Sequence, residues 1–208
     1  GYTGVDEKES PYGSFSNYTT MNPYLPYLDD DGTMLEMIPV PGSNDVANPL
    51  YDATLGSYDK KKTEDFYNNF SIQYFLSERL NFKATLAVTR KVGNTSKYIS
   101  PQAGKYATTT YKGELTLGNN SETSFDGSLF GYYNDVIDNH SINLAFGINI
   151  RERKNDEETY YLRDLPAGGF SSPQFAREMA SSPSAFGQTN RLFGAMISLN
   201  YTYNNIYL

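Results

Sequence analysis

The sequence predicts an all-β chain: an antiparallel up-and-down meander forming part of a large transmembrane β-barrel, with long loops at one end. Three observations predict it. Five segments alternate apolar and polar residues with period two. Each has roughly the ten residues that a tilted strand needs to cross a bilayer. The connections between them alternate strictly, short then long.

Residues 1–65 are expected to form one long external loop. Pro11, Pro23, Pro26, Pro39, Pro41 and Pro49, interspersed with Tyr, make it turn-rich and rigid. The first strand is expected over about 66–76, where Phe66, Asn68, Phe70, Ile72, Tyr74 and Leu76 face one way and Tyr67, Asn69, Ser71, Gln73 and Phe75 the other. The second, about 80–90, sets Leu80, Phe82, Ala84, Leu86 and Val88 against Asn81, Lys83, Thr85 and Thr89. The third, about 123–133, sets Phe125, Gly127, Leu129, Gly131 and Tyr133 against Ser124, Asp126, Ser128, Phe130 and Tyr132. The fourth, about 140–151, sets Ile142, Leu144, Phe146, Ile148 and Ile150 against Ser141, Asn143, Asn149 and Arg151. The fifth, about 191–204, sets Phe193, Ala195, Ile197, Leu199, Tyr201 and Tyr203 against Gly194, Met196, Ser198, Asn200, Thr202 and Asn204. Loops are expected over 91–122 and 152–190; in the latter, Ser172 as N-cap and Pro173 at the first position predict a short helix through Ala180.

The apolar faces carry no charge, and Lys83, Asp126 and Arg151 all fall on the polar side. A lipid-facing charge costs about 2–4 kcal/mol near the midplane, so a barrel wall requires this partition. Phe70, Ile72, Leu86, Leu144, Phe146, Ile148, Ile197 and Leu199 are therefore expected to face lipid. A soluble antiparallel sheet with one buried face alternates in the same way. The connections separate the two readings. Ser77–Arg79 and Asp135–Asn139 are tight, whereas 91–122 and 152–190 are long, which puts every long loop at one end. Outer-membrane barrels have that asymmetry, and compact soluble domains rarely hold several loops beyond about 15 residues. Tyr74, Phe75, Tyr132, Tyr133, Tyr203 and Tyr207 gather near the short-turn end, where an interfacial girdle belongs.

Composition narrows the functions. Aromatic residues make up 15% of the chain, with 19 Tyr and 12 Phe, which disorder does not produce. The net charge of −7 and the lack of any basic run beyond Lys60–Lys62 argue against a nucleic-acid partner. No cysteine is present, so disulfides, thiolate catalysis and Cys-based zinc sites are excluded. No apolar run approaches a transmembrane helix. Gly1 begins mid-pattern and Leu208 ends an apolar, aromatic run, so the chain reads as a piece of a larger protein.

No catalytic or metal constellation emerges, and no cofactor is expected. Asp29-Asp30-Asp31-Gly32, aligned on the EF-hand glycine, would need ligands at Tyr27 and Ile38, so it reads as a solvated turn. His140 is the only histidine and has no second His or Cys for a metal, nor a nucleophile pattern for a triad. Glu157-Glu158 and the Glu7/Glu9 pair read as solvated surface rather than a glycosidase dyad. The chain is expected not to be an enzyme.

Several short stretches together carry a resemblance. They are Ser10-Pro11-Tyr12-Gly13-Ser14-Phe15-Ser16-Asn17-Tyr18, Asn22-Pro23-Tyr24, Asp29–Gly32 and Asn48-Pro49-Leu50-Tyr51-Asp52-Ala53. Further along come Asn69-Phe70-Ser71, Tyr98-Ile99-Ser100-Pro101, Asn139-His140-Ser141-Ile142-Asn143 and the closing Asn200–Leu208. In order and spacing they resemble SusC/RagA-type, TonB-linked outer-membrane transporters of Bacteroidota. The resemblance implies a middle portion of a plugged barrel of about 22 strands, in the outer membrane of a Gram-negative cell. It implies a SusD-like surface lipoprotein as partner, contact with TonB through a region outside this chain, and uptake of oligosaccharides or peptides. Asn22, Pro23, Tyr24, Asn48, Pro49 and Leu50 are expected on the loop end, facing that partner or the cavity. The rival reading is a soluble or surface β-sheet module for binding or adhesion, displaying Tyr-rich loops.

Overall fold

The computed structural model describes residues 1–8, 18–19, 21–204 and 206–207. The Ser10–Asn17 part of the resemblance, Asn205 and Leu208 lie outside the described residues. The main body is an eight-stranded sheet in the order β1-β4-β5-β6-β7-β9-β10, with β8 pairing β7. Its strands are β1 (Tyr2–Lys8), β4 (Tyr58–Phe75), β5 (Leu80–Ile99), β6 (Glu114–Ile137), β7 (His140–Arg163), β8 (Glu178–Met179), β9 (Ser184–Tyr203) and β10 (Ile206–Tyr207). A separate ribbon of β2 (Met37–Ile38) and β3 (Val46–Ala47), with the short helix α1 (Pro49–Asp52), lies in the first long connection. Every pairing in the main sheet is antiparallel. The meander expected from the sequence is the fold observed.

The strands are far longer than the alternation indicates. β6 and β7 run for 24 residues each, about twice what a bilayer crossing uses. At the short-turn end the expected boundaries lie close to the observed ones; at the other end they fall short. The strand expected from 66 starts at Tyr58, the one expected to stop at 90 runs to Ile99, and that expected from 123 starts at Glu114. Likewise the fourth runs to Arg163 and the fifth starts at Ser184. The segment 1–65 is not one loop, because it begins with β1 and ends inside β4. The cause is chemical. Just beyond residues 66, 90, 123, 151 and 191 both faces turn polar for several residues, as in Asn94-Thr95-Ser96 or Arg153–Glu158, so the apolar stripe breaks off while the ladder continues.

Two devices hold register at the short-turn end. Ser77 Oγ accepts from the amides of Arg79 at 3.3 Å and Leu80 at 3.1 Å, closing the β4–β5 turn. Only Asp138 and Asn139 join β6 to β7, and Asp138 takes the left-handed conformation (φ 53°) that short Asx residues tolerate. Within this hairpin two aromatic rings lie across glycines, one on each face. A Cβ on Gly131 would overlap the Phe146 ring, and one on Gly147 would overlap the Phe130 ring. Gly131↔Phe146 and Phe130↔Gly147 are paired residues, so each glycine supplies the space its partner's ring fills.

The small buried core sits at the long-loop end. Tyr98, Leu115 and Leu165 form it, with Tyr58, Leu117, Leu162 and Ala176 packed around. The helix expected from Pro173 to Ala180 is a single 3-10 turn, Pro173–Phe175; Ser172 makes no side-chain cap and Glu178–Met179 pairs with β7 instead. A strand pairing that satisfies two backbone groups displaces the second helical turn.

Candidate functional site

The pairings are free of bulges through β4, β5, β6, β7 and β9, so side-chain parity holds across the sheet. One row reads Phe70, Leu86, Gly127, Ile150 and Phe193; the next reads Ile72, Ala84, Leu129, Ile148 and Ala195. Two more read Tyr74, Phe82, Gly131, Phe146 and Ile197, then Leu80, Tyr133, Leu144 and Leu199. All eight residues expected to share the apolar face therefore do share it. Ser71, Thr85, Asn143, Asn149 and Asn200 lie on the opposite face by the same parity.

This apolar face is uncovered. Ile197 is 78% exposed, Phe193 69% and Phe70 61%, whereas Leu115 in the core is fully buried. The band has charged borders. Towards the long loops the first charges on this face are Glu64, Arg90, Glu152 and Arg191. Towards the short turns stands Asp135, buried and held by Arg79 at 3.1 Å and by the Tyr133 hydroxyl at 2.9 Å. Between those borders each strand offers the length of one bilayer crossing, an apolar belt near 25 Å tall.

The expected aromatic girdle is split. Tyr74, Tyr133 and Tyr203 lie on the apolar face, joined there by Tyr201. Phe75 and Tyr132, one residue out of phase, point to the polar face, and a run of two adjacent aromatics cannot do otherwise. His140 belongs to this belt: its Nδ1 lies 2.6 Å from the Tyr201 hydroxyl, and its ring stacks on Tyr201 and lies tilted against Tyr203. No group of metal-ligating side chains occurs among the described residues.

The polar face balances its charges locally. Arg151 pairs with Asp126, which also accepts from the Ser124 hydroxyl at 3.0 Å. Arg153 lies 3.3 Å from Glu122, and Lys97 lies 2.8 Å from Asp59. Such half-exposed pairs contribute little stability. They leave a wet, nearly neutral wall.

The long connections fold into a cap. Asn48 is wholly buried: its Nδ2 donates to the carbonyls of Leu35 (2.7 Å) and Tyr27 (3.3 Å), and its Oδ1 accepts from Leu50 N at 3.1 Å. It caps α1, with Pro49 at the first helical position. Asp52 Oδ1 accepts from Gly104 N at 2.8 Å, tying α1 to the β5–β6 connection. A Cβ on Gly104 would stand 2.6 Å from that of Ala47, so the two loops touch backbone to backbone. Burial pushes the Asp52 carboxyl above its usual range and raises the Tyr106 phenol, beside the Glu114 carboxylate. Asp29 forms the solvated turn expected of it, its Oδ1 accepting from Asp31 N and Thr33 N around Gly32 (φ 81°).

The six residues expected to face a partner divide. Asn22, Pro23 and Tyr24 are exposed, Tyr24 at 92%, with Asn22 Oδ1 turning the chain by accepting Tyr24 N at 3.0 Å. Pro49 and Leu50 are half-buried. Asn48 cannot face a partner, because the cap needs all its polar atoms. The two motifs nevertheless meet: Asn22 and Pro49 line one cleft of about 510 Å³ with Met21, Leu25, Ile38 and Val46. The sequence reading missed Tyr98, Leu115 and Leu165; the signal available was the apolar parity of Tyr98, Leu115 and Leu117 beyond the expected strand ends. Asn48→Ala is expected to cost about 1–3 kcal/mol of cap stability, since two part-buried carbonyls lose their donor and α1 loses its cap. Limited proteolysis should then cut residues 21–57 faster than in the parent while the sheet stays resistant.

No family's sequence profile and no curated protein matches this chain. Solved structures do. A chain of the RagAB peptide transporter superposes with a TM-score of 0.70 at 15% identity, over 84% of this chain and 20% of that one. The RagAB peptide importer in its closed-closed and open-open states gives a TM-score of 0.70 at 16% identity, over 86% of this chain and 20% of the other. The chain thus spans a fifth of the length of these neighbours. The fold implied by the SusC/RagA-type resemblance is the fold found, that of one section of a RagAB transporter chain.

Proposed function

We propose that this chain is a section of barrel wall, with its outer cap, of a TonB-dependent outer-membrane importer for oligosaccharides or peptides. It carries no chemistry of its own. The apolar face meets lipid, the polar face lines the lumen, and the cap faces a SusD-like surface lipoprotein. The observation that carries the reading is the uncovered apolar band bounded by charges at both borders. Burying such a face is worth about 25 cal/mol per Å², so water is not its resting environment, and a strand-rich sheet of this width finds apolar surroundings in a bilayer. This section has no cysteine of its own, so single cysteines placed in it can be read against the unsubstituted full-length protein as background. In the full-length protein in vesicles, a water-soluble maleimide should label Asn149→Cys and Ser71→Cys but spare Ile148→Cys and Phe70→Cys. Equal labelling of both sets would refute the wall reading and favour a water-exposed binding module.

A further inference from the structure

We propose that the wall binds the headgroup of an outer-leaflet glycolipid just beyond the charged border of its apolar face, a phosphate at Arg90 and sugars in the trough above it. The inference rests on the lipid-facing reading of that face. Along β5 the side chains on this face run Val88, Arg90, Val92, Asn94, Ser96. Val88 ends the apolar band. Arg90 follows, exposed and without an ion pair among the described residues. Its row continues through Thr123 to Lys154, so a cation, a hydroxyl and a second cation stand in line over about 10 Å. Lys154 is held at 3.0 Å from Asp156 on the same face, which fixes it at this border and shares its charge, so Arg90 is the free cation of the row among the described residues.

Beyond that row the sheet forms a concavity of about 780 Å³ that reaches from β1 to β7. Lys60, Asn94, Ser96, Asn119, Glu158 and Tyr160 line it, and their pairings place them on the same face as the band. Carboxylate, amide, hydroxyl and ammonium groups are interleaved beside an aromatic ring, without excess of either sign. That mixture suits a sugar, whose hydroxyls both donate and accept and whose apolar ring face packs on Tyr. Asn94 lies about 20 Å along the strand from Val88. The wall thus presents apolar surface, then a guanidinium, then a polyhydroxyl-matched trough, the order in which a membrane glycolipid presents acyl chains, phosphate and sugars. A guanidinium binds phosphate bidentately, and low dielectric at the membrane border strengthens the pair.

The test uses the full-length protein purified in mild detergent. Glycolipid retained through gel filtration is measured as lipid phosphate and amino sugar per protein. Arg90→Ser combined with Lys154→Ser should lower retention at least about fivefold, with heat-modifiable migration unchanged. Asn119→Trp, which fills the trough, should lower retention of glycolipid but not of simple phospholipid. The soluble headgroup released by hydrolysis should compete poorly with intact glycolipid. Unchanged retention in the double variant overturns the proposal. Equal competition by the released headgroup overturns the glycolipid assignment in favour of a soluble sugar-phosphate. The Ile148→Cys labelling separates the two failures: protection from the aqueous reagent with unchanged retention sinks this site alone, and free labelling sinks the wall reading first.

Discussion

Ile197→Arg in the full-length protein is expected to collapse the assembled fraction, while Met196→Arg, one residue earlier, leaves it near that of the parent. Ile197 lies near the middle of the band on β9, between the border residue Arg191 and Tyr203, and is 78% exposed. Its removal therefore leaves no cavity in this sheet, and the whole effect comes from placing a guanidinium where hydrocarbon should be. That costs about 2–4 kcal/mol near the midplane, or roughly 30- to 1000-fold in the folding equilibrium. Met196 is half-exposed on the polar face, where a charge stays hydrated. The readout is the fraction that migrates as folded barrel in cold detergent. In a water-soluble sheet both substitutions would fall on exposed positions and both would be tolerated. Equal tolerance would therefore refute the membrane wall.

The same parity that makes this prediction sharp is what made the band legible. A strand with one apolar face records its orientation in every second residue, so Ile142–Ile150 or Phe193–Leu199 could be placed without coordinates. Alternation also places the tight turns at Ser77–Arg79 and within Asp135–Asn139, because it breaks off there; the observed second turn is only Asp138-Asn139. Where both faces are wet, nothing records the strand: Gly118–Ser121 reads as loop although its amides complete the ladder between β5 and β7. The cap was illegible for another reason. Asn48 in an Asn-Pro pair reads as an exposed turn former, and only the tertiary contacts of Tyr27 and Leu35 turn it into a buried hub. The helix it caps, only Pro49–Asp52, is too short to leave a periodic signal, and its burial depends on residues 13 and 21 positions away. The split girdle has the opposite lesson. Tyr74-Phe75 and Tyr132-Tyr133 were grouped by position along the chain, while parity already assigned one of each pair to the polar side.

Deleting residues 22–49 from the full-length protein is expected to leave barrel assembly intact and to abolish most partner association or uptake. The ladder from β4 through β9 contains none of these residues, so the interstrand hydrogen bonds of the sheet survive the deletion. What is lost is the β2–β3 ribbon, the Asn48 hub and the exposed Asn22-Pro23-Tyr24 turn. Tyr and Pro present apolar contact area at low ordering cost, the profile of a recognition surface. Two point variants separate surface from scaffold. Tyr24→Ala removes a ring that is 92% exposed and supports no described contact of the cap, so it should weaken association without exposing residues 21–57 to protease. Asn48→Ala should do the reverse first, loosening the cap and weakening association only as far as the loop loses its shape. Co-purification of the partner and uptake of radiolabelled ligand read the first effect, and proteolysis reads the second. Wild-type association and uptake in the deletion would make this cap a spacer and move recognition to the lumen wall, where Asp126, Arg151 and Arg153 line the polar face.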